Sequence, residues 1–345
     1  MHCVIISFST FESSKDKVIY DQGLQKKARF INPYLIDAPE VLVESRNVPI
    51  CDVSPMIYGN KPTDGGNFIL TSEEKDEILK EEPSLAKWIH PYIGSVEFIN
   101  NKIRYCFWLK NISPSEIMAS PILLKRVKAV REMRLASSAK PTQQKADTPH
   151  LFFFISQPES NYLLIPRVSS QNRHYVPVGF LSPEIIASDA CSIIPNATLF
   201  HFGILTSIVH MAWMRVVSGR LKSDYRYSGS VVYNNFPWPT PTEEQKAKIG
   251  QTAQAILDAR ANLSRKFICR FVWREHVCLF GFAESPPAER PCGDGGLRLR
   301  HGHERKRIGG TSDADASGND EITEVGFMMA QKSDEVWKKQ KVASG

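Results

Sequence analysis

Apolar and polar positions change their period several times along this chain, and each change marks an expected element. Residues 3–8 (Cys-Val-Ile-Ile-Ser-Phe) are nearly all apolar, the pattern of a strand buried on both faces. Residues 41–53, rich in Val, read as strand and turn, and the Gly/Asn/Pro/Asp stretch 59–66 reads as a loop leading to a short strand at Phe68-Ile69-Leu70. Thr71, followed by Ser72, Glu73 and Glu74, has the form of an N-cap with first-turn acids, so a helix is expected there. A second helix or turn is expected at 84–88. Residues 96–108 alternate and predict two strands around the polar turn Asn100-Asn101-Lys102. Ser120-Pro121 predicts the cap and first turn of a helix running to about Ala136, with Ile122, Leu123, Val127, Val130 and Met133 as its apolar face. Strands are expected at 151–155, 162–166 and 175–180. The longest helix is expected over 202–221. A last helix, capped by Thr242, is expected over 243–263, with Ile249, Ala253, Ile256 and Ala259 turned inward.

Composition narrows the class. The 345 residues are 42% apolar and 23% charged, enough for ordinary cores, which excludes collagen, coiled coil and wholesale disorder as global descriptions. The length predicts two or three domain-sized units. There is no uninterrupted apolar run of membrane-spanning length; residues 202–217 come nearest and are broken by His210 and Arg215, so no membrane partner is expected. Seven cysteines at irregular positions, and no basic leader before the first apolar run, predict reduced thiols and a cytoplasmic setting. The character changes near the C-terminus. Periodicity stops near Cys278, and 10 of the 20 glycines lie beyond residue 280, so a disordered tail is expected over about 284–320. His301, His303, Cys278 and Cys292 lack zinc-site spacing, so no metal site is expected.

The net charge of +6 permits a polyanionic partner. The helix after Ser120 carries Lys125, Arg126, Lys128, Arg131 and Arg134 against the single acid Glu132, a pattern suited to phosphates. Two polar loop clusters follow. One holds Arg134, Lys140, Gln143, Gln144 and Lys145; the other holds Gln157, Arg167, Ser169, Ser170, Gln171, Asn172 and Arg173. Arginine matches guanine, Gln and Asn match adenine, and Ser and Lys hold phosphates, so these residues are candidate contacts to double-stranded DNA. A solvated polar surface is the commoner explanation for any single loop, and composition alone divides the two readings about evenly. Asn32-Pro33-Tyr34 is one proline short of the Asn-Pro-Pro-Tyr motif that grips a flipped base in amino-methyltransferases, and a turn is the preferred reading. No glycine-rich S-adenosylmethionine loop follows a strand, and there is no P-loop, His-Glu-x-x-His or Gly-x-Ser-x-Gly. Neither catalytic nor cofactor-binding residues are therefore expected in this chain.

Several longer stretches carry a resemblance. They are Gly59-Asn-Lys-Pro-Thr-Asp-Gly-Gly66, Phe98-Ile-Asn100, Arg131-Glu-Met-Arg134, Pro166-Arg-Val-Ser-Ser170, Phe200-His-Phe-Gly-Ile-Leu-Thr206, His210-Met-Ala-Trp213, Gly219-Arg-Leu-Lys-Ser-Asp-Tyr-Arg-Tyr227 and Val232-Tyr-Asn-Asn-Phe-Pro-Trp-Pro239. Together they resemble the C-terminal half of MmeI-like DNA methyltransferases, single-chain restriction–modification enzymes that methylate adenine N6. The likeness covers residues 2–265. It implies an α+β chain: the remnant of a Rossmann-like methyltransferase sheet, a mixed α/β target recognition domain, C-terminal helices and a disordered tail. The implied divisions are 1–50 (end of the catalytic domain), 51–84 (connector), 85–200 (target recognition domain), 201–264 (helices returning to the methyltransferase scaffold) and 265–345 (outside the family, disordered or frameshifted). Asn32-Pro33-Tyr34 would lie after the catalytic motif and so would not be it. The implied function is the DNA-recognition portion of a site-specific adenine-N6 methyltransferase, truncated and without its own methyl-transfer site. S-adenosylmethionine would belong to the intact parent. The alternatives are a subunit of a split enzyme, whose partner chain carries the cofactor-binding half, and a non-functional fragment.

Overall fold

A computed structural model describes residues 5–10, 16–21, 23–37 and 42–267. Strands β1 (Lys17–Asp21) and β2 (Leu24–Ala28) form an antiparallel hairpin of their own. Asn32 next to it makes a turn, its side-chain oxygen accepting from the Tyr34 and Ile36 N–H groups at 3.0 and 3.3 Å. The strand expected at 3–8 is not found in its described part. Ile5 and Phe8 are 92% and 90% exposed, and no described strand pairs with them. An apolar run becomes a buried strand only where a sheet offers it an edge. Residues 42–53 also form no strand, because Arg46 and Ile50 donate their N–H groups to the carbonyls of Ser230 and Asn234 in an irregular turn rather than to a ladder.

The chain continues through β3 (Ile57–Tyr58), β4 (Ile69–Leu70) and α1 (Ser72–Glu81). Thr71 caps α1 as expected, and Glu74 reaches back to the Thr71 N–H at 2.8 Å. A 3₁₀ turn (Pro83–Trp88) leads to β5 (Ile89–Ile93), α2 (Ser95–Asn100) and β6 (Arg104–Phe107). Here the expected strand pair is corrected to a helix and a strand. Glu97 accepts from the Gly94 N–H at 2.9 Å, and Asn101 adopts the left-handed conformation that ends a helix, so both termini of this short turn are satisfied. Next come α3 (Pro114–Ala119), α4 (Pro121–Leu135) and α5 (Lys140–Gln144). Ser120 caps α4, which buries Leu123, Val127 and Val130 as its spacing predicts.

The remaining strands are β7 (Tyr162–Pro166), β8 (Val168–Ser169), β9 (Gly179–Leu181), β10 (Ile186–Ala187) and β11 (Cys191–Pro195). Residues 151–155 give only a single bridge, Phe154 to Lys61. Of 175–180 only the end is strand; Val176 and Val178 are instead buried in the main core. The expected helix over 202–221 is two helices, α6 (Leu199–Leu205) and α7 (Ile208–Val217), bent by 57°. Thr206 and Ser207 break it: Thr206 Oγ1 donates to the Phe202 carbonyl, and Ser207 Oγ accepts from the His210 N–H as a new N-cap. Then follow β12 (Gly219–Leu221), β13 (Asp224–Arg226), a π-helical turn (Gly229–Tyr233) and α8 (Glu243–Phe267).

The class is α+β. Three further sheets run β10-β5-β6-β4, β3-β11-β7-β9 and β12-β13-β8, all antiparallel except the β10–β5 pair. One core joins the β10-β5-β6-β4 sheet to α1 and α4, and the largest joins β7 to α6, α7 and α8 around Trp213, Tyr233 and Phe236. No single described helix is long and apolar enough to cross a membrane, and the bent pair α6–α7 lies in that largest core. The expectation for 265–345 lies outside the described residues apart from the end of α8, which runs to Phe267.

Candidate nucleic-acid interface

Two of the predicted contact residues prove to be parts of the scaffold. Arg134 is fully buried, and each of its five N–H groups meets a backbone carbonyl. Nε donates to Thr63, Nη1 to Lys145 and Thr148, and Nη2 to Pro62 and Leu151, at 2.8–3.2 Å. The fork thus ties the 59–66 loop to the segment after α5. Burial lowers its pKa, and nearby Asp64 pulls the other way. Arg134 has no donor left for a base. Gln157 is saturated in the same manner. Its Oε1 accepts from Asn60 Nδ2 and the Ala187 N–H, while Nε2 donates to the carbonyls of Pro183 and Ile185 at 3.0 and 2.8 Å. The α4 residue Arg126 likewise turns inward, donating to the Asn67 carbonyl and lying over the Phe107 ring.

What Arg134 holds in place is exposed. Lys140, Gln143, Gln144 and Lys145 all face solvent on α5 and the turn after it, as do Lys125, Lys128 and Arg131 on α4. Gln143 spends one donor on the Ser137 carbonyl.

The second cluster is a sheet and a loop built together. β8 pairs with β13, Val168 opposite Arg226 and Ser169 opposite Tyr225. The loop after β8 is closed by its own polar groups: Ser170 Oγ accepts from the Asn172 N–H, and the Ser170 carbonyl accepts from the Arg173 N–H. Asp224 Oδ1 accepts from the Gln171 N–H at 3.3 Å, fastening the loop to the hairpin. Ser169 is buried and its hydroxyl has no partner among the described residues. Arg167, at the start of β8, is half-buried against Tyr58.

This arrangement brings in cations that the sequence reading did not select. Arg220, Lys222 and Arg226 lie on the β12–β13 hairpin, and Arg215 donates Nη2 to the His174 carbonyl of the adjoining loop at 2.7 Å. With Arg173 they make five cations, and none pairs with a carboxylate among the described residues. The signal was available. Three cations fall within seven residues, with Tyr225 among them and Tyr227 directly after. Arg220 lies 3.8 Å from the Tyr225 ring centroid.

A family model described as MmeI, target recognition domain, matches residues 37–240, a span that takes in both clusters. The chain belongs to this family. It is 36% identical over 257 residues to DNA methyltransferase A of Bacillus subtilis (strain 168), covering 74% of this chain and 29% of that protein. A solved structure of the Type IIL restriction–modification enzyme MmeI in complex with DNA is similar with a TM-score of 0.71 and 49% identity, covering 73% of this chain and 34% of that one. The chain thus spans about a third of the length of the relatives it matches.

Methyltransferase kinship implies S-adenosylmethionine in the parent family, and β5–Gly94–α2 is a strand–glycine–helix junction of the kind such a cofactor uses. A Cβ on Gly94 would stand 2.6 Å from the Glu97 carboxylate and 2.9 Å from the Ser188 hydroxyl. The Glu97 and Ser188 side chains lie against Gly94, so this junction presents no open glycine loop.

Proposed function

We propose that this chain is the sequence-recognition portion of a site-specific, adenine-N6 DNA methyltransferase of the restriction–modification type. The observation that carries the reading is the group of five cations on the β12–β13 hairpin, the loop after β8 and the end of α7, none of which pairs with a carboxylate among the described residues. Cations without carboxylate partners are free to replace counterions on a DNA backbone, and each replaced counterion steepens the salt dependence of binding. In this reading the exposed Arg220, Lys222 and Arg226 hold phosphates. The exposed Lys140, Gln143, Gln144 and Lys145, with Ser170 and Arg173, face the duplex.

Methyl transfer belongs to the part of the relatives that this chain does not span. Residues 1–50 are then the end of a catalytic domain. The exposure of Ile5, Phe8, Tyr20, Leu24 and Phe30 supports this, because large exposed apolar side chains within one short stretch of sequence suit an interface. The covering surface is the cofactor-bearing portion, as part of the same polypeptide or as a separate chain. Calorimetry separates the two readings of this chain: no heat with S-adenosylmethionine fits a recognition portion, and saturable heat refutes it.

Duplex binding is tested by fluorescence anisotropy across a salt series. The R220Q/K222Q/R226Q variant is expected to bind more weakly and to flatten the log K against log salt slope by about 3 units, roughly 0.9 per lost phosphate contact. An unchanged slope, or no binding by the parent at low salt, refutes the reading.

A further inference from the structure

Arg167 is half-buried and differs in kind from the exposed cations around it. Its backbone N–H donates to the Ala190 carbonyl, and its own carbonyl accepts from the Tyr227 N–H. Its guanidinium lies 4.5 Å from the centroid of the Tyr58 ring, and Nη1 donates to the Asp189 carbonyl at 3.1 Å. The Tyr227 anchor is itself fixed, since its hydroxyl meets His210 Nε2 at 2.8 Å inside the core. Four contacts therefore fix both the backbone and the plane of this side chain. What they leave over is the Nε–Nη2 edge, which meets no acceptor among the described residues. No carboxylate among the described residues neutralises the charge.

A half-buried arginine fixed in this way has already lost most of its rotamer freedom, so an incoming acceptor gains the full benefit of two parallel N–H donors. Phosphate contacts do not need this, because a mobile lysine serves a charge that lies on every nucleotide. Two acceptors at fixed spacing and direction do need it, and in the major groove that pair is guanine O6 and N7.

We propose that Arg167 is a specificity-determining residue that reads one guanine through its Nε–Nη2 edge, with Tyr58 and Asp189 holding the fork. The proposal rests on the duplex-recognition reading above. Asparagine and glutamine of the neighbouring loop suit adenine instead, so Arg167 assigns a guanine at a single position of the site and leaves the others to other residues.

The test is selection of bound duplexes from a randomised pool by the full chain, repeated with R167A and R167K. Lysine keeps the charge and a donor for Asp189 but lacks the fork, and thermal melts establish that each variant is folded. The expected result is a motif for the parent in which one guanine preference disappears in both variants while the other positions stay. Discrimination at that position should fall by about 5- to 150-fold, the range of one bidentate pair. Placing 7-deazaguanine there, which removes only N7, should weaken the parent and leave R167K unmoved. If R167K keeps the whole motif and R167A loses affinity equally on all sequences, with a salt slope lower by about one, Arg167 holds a phosphate and the proposal is overturned. If the parent itself selects no motif, the recognition reading fails, and this proposal with it.

Discussion

Replacing Arg134 separates a scaffold role from a DNA contact. All five of its N–H groups are satisfied by carbonyls inside a site with no solvent exposure. At a net value of about 1 kcal/mol per bond, their joint loss in R134A amounts to about 5 kcal/mol, before counting the cavity left by the side chain. Domains of this kind are stable by roughly 5–15 kcal/mol, so R134A stands at the threshold of folding. R134K is the informative variant. An ammonium has three donors and no planar fork, so at least two carbonyls lose their partner, for about 2 kcal/mol or more. That corresponds to a melting temperature lower by about 4–8 °C for a domain of this size. The assay is a thermal melt followed by circular dichroism, with a parallel anisotropy titration against duplex DNA. The folded fraction of R134K should bind DNA with nearly the parent's affinity and salt slope. If R134K melts within about 1 °C of the parent but loses DNA binding, Arg134 is at the interface and the scaffold argument is wrong.

His210 supplies a pH dependence. It is buried without a charged partner, and desolvation depresses its pKa to about 3. The sign follows from linkage: below the ordinary value near 6.5 the unfolded chain takes up a proton that the folded chain refuses. Its contribution is present at neutral pH and is lost as pH falls, by about 1.4 kcal/mol per unit between about 6.5 and 3. Urea melts at pH 7 and pH 5 should therefore differ by about 2 kcal/mol through this group, and H210F should remove that difference; an H210F protein with the parent's pH profile would exclude His210 as its source. Gly59 has no room for a side chain: a Cβ would enter the Ser188 carbonyl oxygen and stand 2.8 Å from that of Ala187, both backbone atoms that cannot turn away. G59A is expected to destabilise by about 1–3 kcal/mol or more, and a parent-like urea midpoint would contradict the close approach.

Local grammar was legible wherever it was self-contained. Thr71 with Glu74, and Ser120 with Pro121, announce α1 and α4, and the 3.6-residue spacing of Leu123, Val127 and Val130 orients α4 correctly. Periodicity misled at 96–108, where a single capped turn of helix is too short to show its period, and at 202–221, where Thr206 and Ser207 sit inside an apolar run and quietly divide it. The candidate interface was half legible. Composition locates the polar loops, but an arginine that serves five carbonyls and one that faces solvent are the same letter. Arg134 and Arg167 diverge only because the 59–66 loop folds over the first and the Tyr58 ring lies under the second. The hairpin cations were passed over for a related reason. Two residues of turn, Lys222 and Ser223, separate β12 from β13, and only the pairing of β13 with β8 reveals that they share a surface with a loop some fifty residues earlier.

The Arg134 clamp grips only main-chain oxygens, and every amino acid presents the same one. Substitutions at Lys145, Thr148 and Leu151, or on the neighbouring α5, leave the fastening untouched as long as the backbone path is kept. The segment it holds is therefore a replaceable cassette. Its side chains are free to drift toward a new target while the hinge pin that carries them stays the same.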